Sequence, residues 1–259
     1  CRHAGSPGPC ATARRDAGIA RVVLAVAGPG PPAGGGAGTL RAARVDVAAG
    51  LLAGVVARQL EVWLAAVGRG RPWVTLKLAA SLDGRVAAPD GTSRGITSDA
   101  AREHAHALRA RVDAVAVGTG TVLADDPALT ARVRGGGLAQ HQPLRVVLGD
   151  REVPAGALLS STDVLRLTGH DPVAALRALH EREVRHLLVE GGPTVAGAFL
   201  CARVVDEVLA YVAPVLLGGG MHAVGDLGVT GIDGALRLRT HDVRRLGPDV
   251  LITARPEEE

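Results

Sequence analysis

Four short segments of the sequence combine residue types that can bind an anion, a metal or a sugar. The first runs from Cys1 to Cys10 and places two thiols in a loop rich in Gly and Pro. Two thiolates can serve as zinc ligands, but a catalytic zinc needs a third protein ligand and a neighbouring acid or base. No His-x-Glu motif, which would supply both, occurs in the 259 residues. Two reduced cysteines and a partial zinc site are therefore about equally good interpretations.

The second segment lies between Lys77, which is the only lysine of the chain, and Ser98. A predicted strand ends there in a Gly turn, and a loop rich in Ser and Thr leads into a predicted helix. Hydroxyls and free amides at a helix N-terminus favour an anion such as phosphate. An ordinary strand-turn-helix with a capping Ser has the same spacing and is the commoner case.

The third segment carries adjacent carboxylates, Asp125 and Asp126, directly before Pro127. Such a pair after a strand can bind a metal, hold sugar hydroxyls or start a turn, and composition alone favours the turn. A residue before proline is pushed toward extended backbone, so we expect Asp126 to be extended and to have a structural role.

The fourth segment, residues 190–198, is a glycine-rich junction from a strand to a helix. Backbone amides at such a junction can approach a diphosphate. The segment is not the G-x-G-x-x-G dinucleotide motif, so on its own it is a weak signal.

Short apolar strands and helices alternate along the part of the chain that must position these segments. Strands are predicted over residues 73–79, 114–118, 144–148, 163–167, 186–189, 207–212 and 249–253, and helices over 98–110 and 172–182. This alternation predicts an α/β fold with a mixed sheet flanked by helices, in which the last strands are antiparallel. Before it, a strand over 20–27 and a long helix over 51–67 form a separate α/β pattern that ends at the linker 68–72.

The composition excludes several classes of protein. Apolar residues make up 47% and charged residues 21%, so the chain is expected to fold. The net charge is only +3, with basic residues spread along the chain and few aromatics, which argues against a nucleic-acid partner. The longest apolar stretch is about half the ~20 residues of a membrane span. Three cysteines and no signal-peptide pattern predict a cytoplasmic protein without membrane contact.

Taken together and in order, seven segments resemble the reductase domain of the bifunctional riboflavin-biosynthesis deaminase-reductases. They are KLAASLDGR, ITS, LRAR, GTVLADDPALTAR, LLVEGGPTVAGAF, VVDEVLAYVAPVLLGG and GPDV. The resemblance identifies residues 72–255 as the reductase domain. Residues 1–67 resemble an incomplete C-terminal remnant of the family's zinc deaminase domain, a truncated α/β segment similar to cytidine deaminase.

The resemblance implies a dihydrofolate-reductase-like fold and NADPH-dependent reduction of 5-amino-6-(5-phosphoribosylamino)uracil to the ribitylamino product. The substrate is thus a small phosphorylated pyrimidine. Deaminase activity is not expected because the His-x-Glu half is missing, and zinc is implied only with an upstream deaminase portion. A homodimer through the reductase domain is also implied, with the inner strand 208–217 near the contact. The alternatives are a non-catalytic homologue that binds a nucleotide or serves as a scaffold, and a related reductase with another substrate.

The resemblance also implies roles for individual residues. Lys77 and Asp125 are implied as catalytic. The implied substrate-binding residues are Ser93, Arg109, Leu129, Arg132 and Glu190. The implied cofactor-binding residues are Ala79, Gly95, Thr121, Asp125, Asp150, Gly192, Pro193, Thr194, Val195, Ala196, Gly197 and Ala198. Three departures from the family pattern favour weaker NADP binding or a reduced sheet edge: Gly95 in place of the usual Trp, Gly149-Asp150 in place of Asp-Ser, and the short stretch 150–172.

Overall fold

Residues 10–29, 35–161 and 163–257 are described by the structure, a computed structural model. The chain divides into two units, Cys1–Arg71 and Pro72–Glu259, each with its own internal contacts. Within the described part of the chain, no helix has both the length and the apolar character that a bilayer crossing requires.

The first unit pairs two parallel strands with short helices. Its elements are α1 (Cys10–Asp16), β1 (Arg21–Leu24), α2 (Gly36–Ala42), β2 (Asp46–Ala49), α3 (Ala53–Gln59) and α4 (Glu61–Arg69). A small core of Ala11, Leu40 and Val45 holds α1 and α2 beside the strands. The single helix predicted over 51–67 is wrong. Leu60, with φ −100° and ψ 10°, leaves helical geometry and separates α3 from α4.

An eight-stranded sheet forms the centre of the second unit. The strands of this unit are β3 (Trp73–Ser81), β4 (Arg85–Ala87), β5 (Ala114–Gly118), β6 (Leu144–Leu148), β7 (Val164–Leu167), β8 (His186–Val189), β9 (Glu207–Ala213), β10 (Met221–His222), β11 (Leu238–Leu246) and β12 (Asp249–Pro256). Its helices are α5 (Asp99–Arg109), α6 (Thr119–Asp125), α7 (Pro172–Glu181) and α8 (Pro193–Cys201). The order in the large sheet is β11-β12-β9-β3-β8-β5-β6-β7, and β4 pairs separately with β10.

Most neighbouring strands of the large sheet run parallel, and β12 is antiparallel to both β9 and β11. The predicted α/β class with a mixed sheet flanked by helices is therefore confirmed. Strand β9 pairs in parallel with β3 and antiparallel with β12, so the expected antiparallel part of the sheet begins between β9 and β12. Helix α8 connects β8 to β9 and returns the chain to the same end of the sheet, which is what a parallel connection requires.

The central strands of the sheet are buried on both faces by apolar side chains. Along β5, Ala114 and Ala116 belong to the apolar cluster that includes Leu176 and Phe199 of α7 and α8. The intervening Val115 joins the cluster on the opposite face. This alternation is the period of a strand, and both faces are apolar because helices and loops cover both.

Asp126 departs from the expected extended conformation. Its φ of 41° and ψ of 61° are left-handed, and it ends helix α6, which is not among the helices predicted from the sequence. The backbone N–H of Asp126 donates to the Val122 carbonyl, and its carboxylate accepts from the Leu158 N–H at 2.8 Å. Asp tolerates this conformation because its short side chain bonds locally, and here that bond outweighs the restriction that Pro127 imposes.

The C-terminal hairpin of β11 and β12 is tied to the start of α5 by a buried carboxylate. Asp249, whose relative exposure is 1%, accepts hydrogen bonds at 2.7 Å from both the backbone N–H and the hydroxyl of Ser98. The Ser98 side chain also caps α5 by accepting from the Ala101 N–H. The position of α5 therefore depends on a residue far away in the sequence.

We expect Asp249→Asn to lower the free energy of unfolding by about 1.5–3 kcal/mol, because the two hydrogen bonds from Ser98 then lose their charged acceptor and an NH₂ group is buried beside them. The matched control is Asp242→Asn on β11, whose side chain is 52% exposed and pairs with Arg244. That change should stay within about 0.5 kcal/mol. Urea denaturation followed by circular dichroism measures both, and equal losses would contradict the role given to Asp249.

Candidate functional site

A cavity of about 890 Å³ opens in the second unit where several parallel strands end. Its walls include the last residues of β5 and β6, the segment after β8, and side chains of β3, α5 and β9. Ligands of open α/β sheets bind in the crevice at the carboxyl ends of the strands. The volume lies toward the upper end of the roughly 300–1,000 Å³ that is typical of small-molecule sites.

Glu190, the first residue after β8, is the most buried charged group of this cavity, since only 6% of its side chain is exposed. Arg109 donates to its two oxygens in a fork, from Nε at 2.6 Å and from Nη2 at 2.9 Å. Lys77 Nζ lies 3.6 Å from Oε2. Burial by itself raises the pKa of Glu190, but the charges of Arg109 and Lys77 and the hydrogen bonds from Arg109 lower it to about 2. Glu190 is therefore an anion held between two cations.

Helix α5 presents one face to the cavity. Arg102, His106 and Arg109 follow one another on that face at helical spacing and all line the cavity. Arg109 also donates from Nη1 to the Thr130 carbonyl at 3.2 Å, and His106 Nδ1 lies 3.0 Å from the same oxygen. The loop that contains Thr130 thus fixes both side chains.

Tyr211 of β9 forms the floor beside Lys77. The Lys77 ammonium lies 5.8 Å from the centre of the Tyr211 ring, within the range of a cation–π contact. The Tyr211 hydroxyl is 2.7 Å from His104 Nδ1. Burial, together with the charge of Glu190, raises the pKa of Tyr211 above its ordinary value, so the phenol stays protonated.

Asp125 stands on another wall, and the loop before α5 reaches it. The Ser93 hydroxyl donates to Asp125 Oδ1 at 3.0 Å, and Arg94 Nη2 donates to the Asp125 carbonyl at 3.3 Å. Ser93, Asp125 and Thr121 all line the cavity. The two neighbouring aspartates therefore differ in role. The Asp126 carboxylate accepts a hydrogen bond from the Leu158 N–H, whereas the Asp125 carboxylate accepts one from the Ser93 hydroxyl inside the cavity.

The wall opposite α5 is made of glycines and the start of α8. Gly192 precedes α8 without a side-chain cap, and Pro193 occupies its first turn. A Cβ at Gly118 would lie 2.7 Å from Val195, and one at Gly191 would lie 2.6 Å from it, so only glycine permits this packing. The uncapped amides at the start of α8 can accept a phosphate group, because the helix dipole and the free N–H groups favour an anion.

Charges of both signs surround the far end of the cavity, after β6 and β7. Asp150 accepts from the Gly169 N–H at 2.6 Å and lies 3.3 Å from His170 Nε2. The Arg151 guanidinium occupies the space beside Gly120, 2.6 Å from where a Cβ of that glycine would lie. The sequence indicated Asp150 alone, whereas the structure adds Arg151 and His170 to this end of the cavity.

Most of the residues that the sequence indicated come together in this cavity. Those that line it are Lys77, Ala79, Ser93, Gly95, Arg109, Thr121, Asp125, Asp150, Glu190, Gly192, Pro193, Thr194 and Val195. Gly95 has φ +87°, a conformation that a side chain such as Trp adopts only with strain. A glycine at position 95 therefore suits the backbone conformation found there.

Other predicted residues lie away from the cavity lining. The Leu129 side chain is 3% exposed and packs in the core, and Arg132 is exposed and donates to the Gly136 carbonyl at 3.2 Å. The three further residues of α8 that were predicted are Ala196, Gly197 and Ala198, and the wall includes only the earlier part of that segment. Cys10 is an exposed free thiol, and Cys1 lies outside the described residues. Among residues 10–29, 35–161 and 163–257, no group of three or more His, Cys, Asp or Glu could hold a metal.

Sequence reasoning missed His106, Tyr211 and Arg151 as cavity residues. His106 stands one helical turn before Arg109 on the amphipathic helix α5, and that spacing was a usable signal. Tyr211 lies in an apolar strand and Arg151 in a loop of a chain rich in arginine. Tyr211 is nevertheless the only tyrosine of the 259 residues, which was a usable signal, whereas nothing in the sequence separates Arg151 from the other arginines.

Comparisons with known proteins agree on one family. The sequence pattern of the RibD C-terminal domain matches residues 72–252. The riboflavin biosynthesis protein RibD of Mycobacterium tuberculosis is 50% identical over 256 residues, covering 98% of this chain and 75% of that protein. Acinetobacter baumannii RibD gives a TM-score of 0.89 at 32% identity, covering 100% of this chain and 79% of the other. A Thermotoga maritima structure described as a diaminohydroxyphosphoribosylaminopyrimidine deaminase/5-amino-6-(5-phosphoribosylamino)uracil reductase gives a TM-score of 0.81 at 29% identity, covering 99% and 77%.

We expect Glu190→Gln to lower the free energy of unfolding by about 3–5 kcal/mol at neutral pH, because Arg109 and Lys77 lose their buried counter-charge. The pKa of Glu190 falls from 4.5 to about 2 on folding, so its stabilisation is complete above pH 4.5 and is lost as the pH falls toward 2. The gap between wild type and variant should narrow by up to about 1.4 kcal/mol per pH unit over that interval.

The control for this measurement is Glu181→Gln at the exposed end of α7. Chemical denaturation at several pH values should give a difference within about 0.5 kcal/mol for that variant. A Glu190→Gln difference that does not change between pH 4.5 and the lowest accessible pH would contradict the pairing described here.

Proposed function

The chain belongs to the RibD family, and we propose that its second unit uses NADPH to reduce the ribosyl group of 5-amino-6-(5-phosphoribosylamino)uracil to the ribityl group of riboflavin biosynthesis. The observation that carries the proposal is one cavity with two unlike walls. One wall holds the buried network of Lys77, Glu190 and Arg109, and the other presents the uncapped start of α8. A phosphorylated sugar derivative fits the first wall, and a dinucleotide fits the second.

The glycine wall suits the cofactor by shape and by charge. When bound, NADPH supplies the hydride for C1′ of the opened sugar, so the protein contributes mainly alignment and exclusion of water. The amides at Thr194 and Val195 would hold the diphosphate. Thr121 lies close to Gly192, whose Cβ position is 3.7 Å from the Thr121 hydroxyl, and would contact the same group.

The far end of the cavity favours NADPH over NADH. Asp150 would repel the additional phosphate of NADPH, but it already bonds the Gly169 N–H and lies beside His170. Arg151 adds a full positive charge at the same end. The departure from the family pattern at Gly149-Asp150 is thus offset by the guanidinium of Arg151.

The charged wall suits the sugar and the pyrimidine. Lys77 Nζ would donate to the ribose oxygens and hold a proton at the ring oxygen as the sugar opens. Glu190 keeps free lone pairs beside those taken by Arg109, because a carboxylate has about four acceptor sites. Glu190 would therefore accept from the N–H groups of the substrate, and the Ser93 hydroxyl and Arg109 would contact its phosphate.

Other parts of the assignment rest on the sequence. Substrate contacts by Leu129 and Arg132 stay predictions, as do cofactor contacts by residues 196–198, a homodimer through the second unit and a cytoplasmic location. The identification of residues 1–67 as a deaminase remnant also stays a prediction. Because the sequence contains no His-x-Glu, we expect no ammonia release from these 259 residues.

The direct test follows NADPH oxidation with 5-amino-6-(5-phosphoribosylamino)uracil as substrate. Turnover is expected in the wild type, and Lys77→Met should lower kcat by at least about 100-fold, because the donor at the sugar oxygen is lost. NADPH binding, measured by its fluorescence, should be retained in that variant. Binding of NADPH without any turnover in the wild type would instead support a non-catalytic homologue or a reductase of another substrate.

Asp125→Asn should damage turnover far more than Asp126→Asn. If Asp125 accepts from a ribose hydroxyl, the loss of its charge weakens that bond by about 1.5–3 kcal/mol, or roughly 10- to 150-fold in kcat/KM. Asn at position 126 can still accept from the Leu158 N–H and tolerates the left-handed backbone, so its effect should stay within severalfold. Steady-state kinetics with circular dichroism as a folding control makes the comparison, and equal losses would contradict the cofactor role of Asp125.

A further inference from the structure

His106 is a half-buried cavity residue to which the function proposed above gives no role. It lies on α5 between Arg102 and Arg109, and all three line the cavity. The same loop carbonyl, that of Thr130, meets His106 Nδ1 at 3.0 Å and Arg109 Nη1 at 3.2 Å. His106 therefore stands beside the cation that holds Glu190.

The contact with Thr130 determines which ring nitrogen of His106 is free. A carbonyl oxygen only accepts, so the hydrogen on this bond belongs to Nδ1. In the neutral ring the lone pair is then at Nε2. His106 can accept a proton there without giving up its bond to Thr130.

The charges that face His106 come from three elements. Arg109 lies on its own helix, Arg132 belongs to the loop after α6, and Glu190 follows β8. Burial and the charge of Arg109 lower the pKa of His106, and the Thr130 hydrogen bond and Glu190 oppose that shift only in part. The ring is neutral at physiological pH until a further anion arrives.

Arg109 alone is a poor partner for a phosphate dianion. Its Nε and Nη2 donate to Glu190 and its Nη1 donates to Thr130. Its charge is also largely neutralised by the Glu190 carboxylate. Arg102 on the same face is itself paired with Asp99 and donates to the Thr97 carbonyl. A further donor to an anion at this wall is therefore His106, which can gain a proton near neutral pH.

We propose that His106 binds the phosphate of the substrate and takes up one proton from solvent as the phosphate arrives. The proton adds to Nε2, and the new N–H donates to a phosphate oxygen while Nδ1 still donates to Thr130. No covalent bond changes. This inference rests on the proposed function for the identity of the substrate, but it requires only a phosphorylated sugar at the α5 wall.

The first test uses ribose 5-phosphate and ribose as probes in isothermal titration calorimetry. Measurements in buffers of different ionisation enthalpy, well above the phosphate's second pKa of about 6, count the protons taken up. We expect net uptake with ribose 5-phosphate and none with ribose. His106→Asn retains a donor for Thr130 but has no Nε2, so it should abolish the uptake and weaken binding by about 10- to 100-fold.

His180→Gln on α7 is the matched control, because His180 is a histidine of lowered pKa outside the cavity lining. Its proton uptake and affinity should equal those of the wild type. Failure of ribose 5-phosphate to bind, binding without uptake, or equal uptake by His106→Asn would each overturn the role of His106.

The second test separates this inference from the proposed function. In the NADPH oxidation assay, KM for the phosphorylated substrate should rise up to tenfold per pH unit between the pKa of His106 in the free protein and its pKa in the complex, with kcat unchanged. The KM of His106→Asn should be flat over the same range. Normal turnover with a flat wild-type KM would overturn the inference and leave the function standing. Proton uptake with ribose 5-phosphate but no turnover would do the reverse.

Discussion

A carboxylate buried at the end of a strand needs cations around it, and that requirement organises the whole cavity. Glu190 is held by the fork of Arg109 and by Lys77, which come from α5 and β3. Helix α5 and strand β3 must therefore lie close enough to the end of β8 for Arg109 and Lys77 to reach the Glu190 carboxylate. Burying such a group does little for stability compared with apolar packing, so its presence is better explained by ligand binding than by folding. The Thr130 carbonyl extends the same network to the loop after α6.

The second constraint is close packing at the strand ends. Val195 fills the space that side chains at Gly118 and Gly191 would need, so the start of α8 lies directly against the ends of β5 and β8. This brings the helix amides to the cavity without any charged side chain. The shape of this wall depends on missing side chains, whereas the wall of Lys77, Arg109 and Glu190 depends on charged ones.

Much of this organisation was readable from the sequence. Buried strands and α7 appear as apolar runs with clear ends, and the family resemblance over the reductase region is confirmed by the match over residues 72–252. The failures are local. The helix α6 is short and contains Gly and Thr, and the left-handed backbone of Asp126 depends on a hydrogen bond to Leu158, a contact that no local pattern contains.

Asp83 shows that a residue within a family motif can have a purely structural role. It follows β3 and accepts from the Ser81 hydroxyl and from the N–H groups of Leu217 and Gly218. These hydrogen bonds, led by that from Ser81, lower its pKa to about 2. Its role is to join the turn after β3 to the loop after β9. The sequence could place it in a motif, but only the tertiary contacts show what it holds.

The tie between Ser98 and Asp249 has a consequence for how the protein is made. The two residues are 151 positions apart, and Asp249 begins the last strand of the sheet. During synthesis Ser98 is added long before Asp249. The hydrogen bonds from Ser98 to Asp249 can therefore form only after β12 has been synthesised. Contacts of this separation slow folding, because a long loop must close before they contribute. The wall that carries Arg109 and His106 thus gains this anchor only after residue 249 has been synthesised.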